Sequence, residues 1–196
     1  MLRSSTGLWA KAFLDIAIGG TPKGRVVVDL FEKKAPLASE NFKKLCTGEQ
    51  VLPKGRTTDE LGNPMFEDQL NAQLHYPGSM IHRVHKGYLV QGGDLVSSEG
   101  VEQLSVFGPT FNSPEETETS TFNERGLVGT AVSAPHLNGS QFFILTANKA
   151  PHLDGTCICF GKVVQGMDVV EEVEKLQVDT LGAPTTLVQI IGSGVL

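Results

Sequence analysis

Eight short apolar segments, each followed by glycine, proline or another turn residue, constrain the fold of this chain most strongly. In the first segment residues alternate with a period of two, so Leu14, Ile16 and Ile18 share one side. The eight segments are 12–18, 24–31, 79–84, 88–94, 127–132, 140–145, 157–164 and 186–191. Eight strands suffice to close a barrel whose interior is filled by its own side chains. We therefore expect a mainly β fold, a closed eight-stranded antiparallel β-barrel, with its function on the outer surface or in loops.

Two other segments have helical periodicity and are expected to cap the barrel as α-helices. The first, 35–46, has a proline in its first turn and two lysines in its last, as the helix dipole favours. Its apolar residues predicted to face inward are Leu37, Phe42 and Leu45. The second, 167–176, repeats valine at helical spacing.

The chain shows no internal repeat and no linker that would separate two domains. We expect an N-terminal extension at 1–10 and one domain at 11–196. Within that domain a segment of about 47–78 is rich in Gly, Pro, Asp and Asn, and it is predicted to be a long insertion loop. A second polar, acidic loop is expected at 109–124.

Composition argues against several classes of protein. The 196 residues carry 16 basic and 22 acidic side chains without a basic stripe, so nucleic-acid binding is not expected. No apolar run approaches the roughly 20 residues that span a bilayer, so no membrane segment is expected. Three cysteines form no disulfide framework, which favours the cytoplasm. Arg and Ser without acids near the N-terminus leave mitochondrial import as the alternative. Nothing indicates an obligate interface, so we expect a monomer.

The sequence has no signature of a covalent nucleophile, a metal site or a nucleotide cofactor. His82 and His85 are three apart in a predicted strand and therefore face opposite sides. Cys157 and Cys159 share a strand face, but further ligands are lacking, and they are interpreted as small buried hydrophobic residues. We therefore expect neither metal nor cofactor.

Among the polar residues in the apolar strands, Arg83, Gln91 and Gln141 stand out. One interpretation is that each faces solvent on the outside of the barrel. The other is that they are fixed polar groups in an apolar patch, which is typical of a ligand site. The neighbouring apolar residues in that interpretation are Tyr88, Phe143 and Leu153.

Five separated blocks of sequence resemble one known family, the cyclophilins, in order and spacing. The two signature blocks are GSMIHRVHKGYLVQGGD at 78–94 and NGSQFFILTA at 138–147. The supporting blocks are DIAIGGTPKGRVVVDLF, ASENFKKLCTGE and HLDGTCICFGKVVQGMDVV. The resemblance covers nearly the whole chain apart from the N-terminal decamer and the long loop. It implies a peptidyl-prolyl cis-trans isomerase with a shallow proline-binding groove, whose partners are proline-containing peptides and proteins.

The resemblance also implies roles for individual residues by motif position. It makes Arg83 the catalytic arginine, places Ala131 in a small adjacent subsite and sets the main chain of Val132 against the substrate backbone. The residues that it places in the apolar proline pocket are Tyr88, Leu89, Phe143 and Leu153. We accordingly assign catalysis to Arg83, Gln91 and Gln141. We assign substrate binding to Tyr88, Leu89, Ala131, Val132, Phe143, His152, Leu153 and Cys157.

Four of these positions depart from the usual pattern of the family. Cys157 stands where most members carry His, Val132 where Asn is usual, and Tyr88 where Phe is more usual. His152 replaces a common Trp that is associated with tight cyclosporin binding. We therefore expect lower activity than that of the best members and reduced affinity for cyclosporin.

The predicted chemistry suits these residue types. Rotation about an X–Pro bond breaks amide resonance, with a barrier of about 18–20 kcal/mol. The twisted prolyl nitrogen becomes an acceptor, which the Arg83 guanidinium, oriented by Gln91, can bond only in that state. The alternative function is a low-activity proline-peptide binding module that tethers partners. The altered groove and the enlarged loop are the features that favour this alternative.

Overall fold

The computed structural model describes residues 10–49, 74–97, 99–100, 103–132, 134 and 136–196. Nearly all of the expected N-terminal extension and most of the expected insertion loop lie outside the described residues. The domain boundaries at 1–10 and about 47–78 therefore stay predictions.

Eight strands form one closed antiparallel barrel, as expected. They are β1 (Lys11–Ile18), β2 (Thr21–Leu30), β3 (Met80–His85), β4 (Leu89–Asp94), β5 (Leu127–Thr130), β6 (Phe142–Leu145), β7 (Cys159–Gln165) and β8 (Val188–Val195). The order around the barrel is β1-β2-β7-β5-β6-β4-β3-β8. All eight predicted strands are confirmed, with boundaries that move by a few residues.

The interior of the barrel is filled by every second side chain of the strands. Leu14 and Ile16 of β1, Val90 of β4 and Ile144 of β6 belong to one continuous buried cluster. Because side chains alternate across a strand, the residues between them point outward. The alternate side chains of β4 and β6 therefore lie on the outer face of the barrel, where they can form a binding site.

Two helices contribute to this interior cluster, and both were predicted. They are α1 (Pro36–Thr47) and, later in the chain, α3 (Met167–Glu174). Phe42 of α1 packs against the rings of Tyr76, Phe142 and Phe160 with centroids 5.0 to 5.4 Å apart. None of the described helices has the length and apolar character that crossing a membrane would need.

The prediction that Leu37 faces inward is wrong, because that side chain is 38% exposed. The inward stripe of α1 runs through Ala38, Asn41, Phe42 and Leu45, which follow the i, i+3, i+4, i+7 rule. Leu37 lies beside this stripe in the first turn.

A third helix, α2 (Pro114–Glu118), lies within the segment that was expected to be a loop. Its sequence begins with Ser and Pro followed by two acidic residues, which is a helix-start signal that could have been recognised. Glu116 of α2 accepts hydrogen bonds from the main-chain nitrogens of Leu37 (2.8 Å) and Ala38 (3.2 Å). Ala35, at the N-cap of α1, has no side-chain acceptor, so Glu116 supplies the cap from a distant part of the chain.

Candidate functional site

A second apolar cluster lies outside the barrel interior, on the outward side of β4, β5 and β6; we call it the outer cluster. Its buried members are Leu89, Phe122, Leu127, Ala131, Phe143, Leu145, Ala150, Cys157 and Cys159. Its half-buried members are Phe31, Tyr88, Val132, Ala147 and Leu153. Seven of the eight residues predicted to bind substrate belong to this cluster. The structure therefore brings them together on one surface.

A row of three side chains connects this cluster to the predicted catalytic arginine. Arg83 of β3 lies opposite Gln91 of β4, and Gln91 lies opposite Phe143 of β6. Directly opposed residues in neighbouring strands share a face of the sheet. Arg83 is exposed, Gln91 is half-buried and Phe143 is only 3% exposed. The guanidinium thus lies at the border between the outer cluster and solvent.

Gln141 is fixed beside this row. It is 2% exposed, so the interpretation that it merely faces solvent is wrong. Its Oε1 accepts a hydrogen bond of 2.9 Å from Nε2 of Gln91. This bond sets the orientation of the Gln91 amide, which lies between Arg83 and Gln141.

Gln103 holds the main chain on the other side of Gln141, and the sequence analysis missed this residue. Its Nε2 donates to the carbonyl oxygen of Ala131 at 2.7 Å, and its Oε1 lies 3.4 Å from the nitrogen of Gln141. The nitrogen of Ala131 in turn donates to the carbonyl oxygen of Gln141 at 3.0 Å. These bonds fix the backbone that leads into Val132. No sequence signal identified Gln103, because it comes from a distant loop.

His152 lies at the rim of the outer cluster and contacts Tyr88. A short 3-10 helix (Pro151–Leu153) carries His152, whose Nε2 is 2.6 Å from the Tyr88 hydroxyl oxygen. The two rings have centroids 5.4 Å apart. Burial raises the pKa of Tyr88, so its phenol is neutral near pH 7. Two of the four departures from the usual family pattern are therefore in direct contact.

The turn that carries Tyr88 is held in place by Glu174 of α3. One carboxylate oxygen, Oε1, accepts from the nitrogen of Gly87 at 2.8 Å and from the hydroxyl of Thr146 at 2.5 Å. The carbonyl oxygen of Tyr88 accepts from the nitrogens of Thr146 and Ala147 at 2.8 and 3.0 Å. Glu174 thus ties the β3–β4 turn to the end of β6. Helical spacing places Glu174 on α3, but nothing in the sequence shows what it reaches.

Phe122 belongs to the outer cluster and packs against Phe143. The two rings have centroids 5.3 Å apart. The nitrogen of Phe122 donates to Oδ1 of Asp154 at 2.7 Å. Asp154 follows Leu153 in the chain, so this hydrogen bond also helps to fix that side of the cluster.

The cysteines of the site are buried, which confirms their interpretation as small hydrophobic residues. Burial raises the pKa of Cys157 to about 11 and that of Cys159 to about 12. His82, on β3 beside Arg83, has a lowered pKa because burial disfavours its charged form. Across the described ranges, no three His, Cys, Asp or Glu side chains are grouped closely enough to hold a metal ion.

We expect the three cysteines to react slowly with iodoacetamide in the native protein. All three are free and buried, so at pH 8 very little of each is the reactive thiolate. Labelling followed by mass spectrometry should be roughly a hundredfold slower in the native protein than in guanidinium chloride. Equal rates in the two states would contradict the burial of these thiols.

The arrangement combines an apolar surface for a small ring with a directional cationic donor at its edge. Its chemistry is therefore recognition and hydrogen bonding, applied to a ligand that lies over Phe143 and reaches Arg83.

Comparison with known proteins agrees with this geometry. The sequence model of the family "Cyclophilin type peptidyl-prolyl cis-trans isomerase/CLD" matches residues 13–195. The chain is 36% identical over 191 residues to a Caenorhabditis briggsae protein named peptidyl-prolyl cis-trans isomerase 9, covering 97% of this chain and 56% of the relative. It is 38% identical over 186 residues to a Rhizopus delemar protein named peptidyl-prolyl cis-trans isomerase cyp11, covering 95% of this chain and 50% of the relative.

This chain belongs to the cyclophilin-type peptidyl-prolyl cis-trans isomerase family. It spans about half the length of the curated relatives that it matches. The family assignment confirms the resemblance drawn from the five sequence blocks.

Proposed function

We propose that this chain is a peptidyl-prolyl cis-trans isomerase that accelerates rotation about X–Pro bonds in peptides and proteins. The observation that carries the proposal is the position of Arg83, one strand away from the Gln91–Gln141 pair and at the edge of the outer cluster. The family and the names of the relatives support the same activity.

In this mechanism the outer cluster binds the proline ring. Phe143 provides the floor, and Tyr88, Leu89 and Leu153 provide apolar walls. Cys157 lies in the same cluster and presents a neutral thiol, so it adds apolar surface and no charge. Because the proline ring is held in place, the acyl group of the preceding residue is the part that rotates about the X–Pro bond.

Arg83 then stabilises the twisted state selectively. In the planar amide the nitrogen lone pair is delocalised and accepts no hydrogen bond, whereas at the twisted transition state it is an acceptor. A guanidinium is always charged and donates in fixed directions. A ten-thousandfold acceleration requires about 5.5 kcal/mol of differential stabilisation. One charge-assisted hydrogen bond together with positioning of the peptide supplies an effect of this size.

Gln91 and Gln141 position the reacting groups. The hydrogen bond between them orients the Gln91 amide next to Arg83. Gln103 and Ala131 fix the backbone before Val132, whose main chain grips the substrate in this proposal. No covalent intermediate and no proton transfer are required.

A protease-coupled assay on an Ala-Pro-Phe peptide tests the function directly. Uncatalysed isomerisation takes tens to hundreds of seconds, so added protein should shorten this phase in proportion to its concentration. An unchanged phase at micromolar protein would overturn the proposed function. A refolding assay with a proline-limited protein extends the same test to assistance in protein folding.

We expect weak binding of cyclosporin. At the rim of the proline pocket, His152 is exposed and bonded to Tyr88, so it offers less apolar surface than an indole. Calorimetry should give a dissociation constant well above the nanomolar range, and His152→Trp should tighten it by about tenfold. Tyr88→Phe serves as the control for loss of the hydroxyl contact alone. Nanomolar affinity of the unaltered protein would contradict this account.

We further propose that the chain acts as a monomer in the cytoplasm. Three free cysteines are compatible with a reducing compartment. Sedimentation of the purified chain and microscopy of a tagged chain test the two statements. A stable dimer would overturn the first, and mitochondrial import the second.

A further inference from the structure

A groove adjoins Arg83 on the side away from the outer cluster; we call it the Leu181 groove. It has a volume of about 680 Å³ and lies between β3 and the chain that leads into β8. Arg83 and Gln91 line one side of it, and Leu181, Ala183 and Leu187 belong to the other. The groove is therefore continuous with the proposed catalytic site.

The groove exists because β3 and β8 hardly pair. Their ladder contains one pair of opposed residues, Met80 and Gln189. Further along β3, the nitrogen of Val84 donates instead to the carbonyl oxygen of Gly182, at 2.8 Å. The chain is thus bonded to the β3 segment near both of its ends, and the groove lies between these two sets of hydrogen bonds.

The outer wall of the groove is a tight turn with its own hydrogen bonds. Oδ1 of Asp179 accepts from the nitrogens of Leu181 (2.8 Å) and Ala183 (2.9 Å). The nitrogen of Asp179 donates to the carbonyl oxygen of Ala183 at 2.9 Å. This turn holds Leu181 in a defined place although the side chain is 78% exposed. Leu187, on the same wall, is 50% exposed.

The lining combines apolar side chains with negative charge. Pro184 and Val188 extend the apolar wall formed by the two leucines. Glu99 and Asp179 contribute carboxylates, and Arg83 is the only Lys or Arg among the described residues that line the groove. Such a lining favours a bulky apolar side chain next to a basic one, and it disfavours acidic segments.

The order of the strands places Val132 and the Leu181 groove at opposite ends of the proposed site. Across the outer face the strands run β5, β6, β4, β3, β8. A polypeptide crossing them meets Val132 after β5, then Phe143 of β6, then Arg83 of β3, and finally the Leu181 groove. A bound peptide that followed this path would meet Val132 on one flank of its proline and the groove on the other.

We propose that the Leu181 groove binds the flank of the client polypeptide that continues past Arg83, and that it selects a bulky apolar residue adjacent to Lys or Arg. This inference rests on the proposed isomerase function and adds a substrate class to it. The groove would thereby give different affinities to X–Pro sites with different flanking residues, which the proline pocket alone binds equally.

Isomerisation of three peptides tests the inference. The first is a short Ala-Pro-Phe core, the second adds Leu-Lys on the N-terminal flank, and the third adds Leu-Lys on the C-terminal flank. We expect one extension, and only one, to lower KM by about tenfold relative to the core. The same extension with Ser-Glu in place of Leu-Lys should lose this gain.

Substitutions of outer-wall residues test whether the fall in KM depends on the Leu181 groove. Leu181→Ser should abolish the gain and leave the core peptide unaffected, because the side chain is 78% exposed and the core peptide ends before the groove. Asp179→Asn keeps the Oδ1 acceptor and removes the charge, so it should raise KM of the Leu-Lys peptide by about threefold. Val164→Ser, an exposed apolar residue on β7 away from the groove, is the matched control and should change neither substrate.

The outcomes separate this inference from the function on which it rests. Normal turnover of the core peptide with no gain from either extension would overturn the groove proposal and leave the isomerase intact. A gain that survives Leu181→Ser, or equal gains on both flanks, would also overturn it. Failure to turn over the core peptide would overturn the proposed function itself.

Discussion

Arg83→Ala is expected to lower kcat/KM for an X–Pro peptide by about a hundredfold, which corresponds to about 2.7 kcal/mol of lost transition-state stabilisation. The loss should fall on kcat, because Arg83 is proposed to bond the prolyl nitrogen only in the twisted state. Binding of the proline ring depends on the outer cluster, so KM should change little. Steady-state or line-shape kinetics on the same peptide measure both quantities.

Two further variants make the Arg83 result specific. Arg83→Lys keeps the charge but loses the planar donor geometry, and we expect a loss of about tenfold. Arg125→Ala removes another exposed arginine, one that pairs with Glu171 on the surface, and should leave kinetics unchanged. A rise in KM without a fall in kcat for Arg83→Ala would show that the arginine merely binds substrate.

Glu116→Ala is expected to lower the free energy of unfolding by about 2 kcal/mol. The buried carboxylate accepts two hydrogen bonds from the first turn of α1, and its removal leaves the nitrogens of Leu37 and Ala38 without that partner. For a chain of this size the loss corresponds to a fall in melting temperature of roughly 4–8 °C. Chemical denaturation and thermal melting monitored by circular dichroism measure the change.

The matched variants for this prediction lie at the same place and in the same helix. Glu116→Gln keeps the size but puts an amide donor against a main-chain donor, so it should recover only part of the loss. Glu118→Ala removes an exposed acid from α2 and should change stability by less than about 0.5 kcal/mol. Equal stability of Glu116→Ala and Glu118→Ala would contradict the capping of α1 by α2.

The barrel could be predicted from the sequence because its signals are local. Alternation in segments such as 12–18, and turn residues between them, determine strands whatever their partners are. The short helix α2 was not predicted, because five residues are too few to show helical periodicity. Pro114 and the acidic residues after it are the sequence signal that marks its start. Leu37 lies outside the inward stripe because helical spacing directs that stripe through Ala38, Phe42 and Leu45, and apolar character alone does not place a residue on it.

The predicted site came from motifs, and the structure brings its residues onto one surface. What the sequence could not show is which residues support them. Glu174 reaches the turn before Tyr88 from α3, and Gln103 fixes the Ala131 carbonyl from a distant loop. These contacts join segments tens of residues apart, and no spacing rule relates them. The contact between Tyr88 and His152 is of the same kind: the sequence predicts a site role for each residue but not that the two side chains meet.

The central claim is that this surface catalyses rotation and does not only bind proline. Two-dimensional exchange NMR on an Ala-Pro-Phe peptide tests it most directly, because cis and trans signals exchange detectably only when rotation is fast. We predict exchange cross-peaks with catalytic amounts of the unaltered chain and none with Arg83→Ala, while both proteins shift the proline resonances at high concentration. Shifts without exchange for the unaltered chain would contradict the account and identify a proline-peptide binding module.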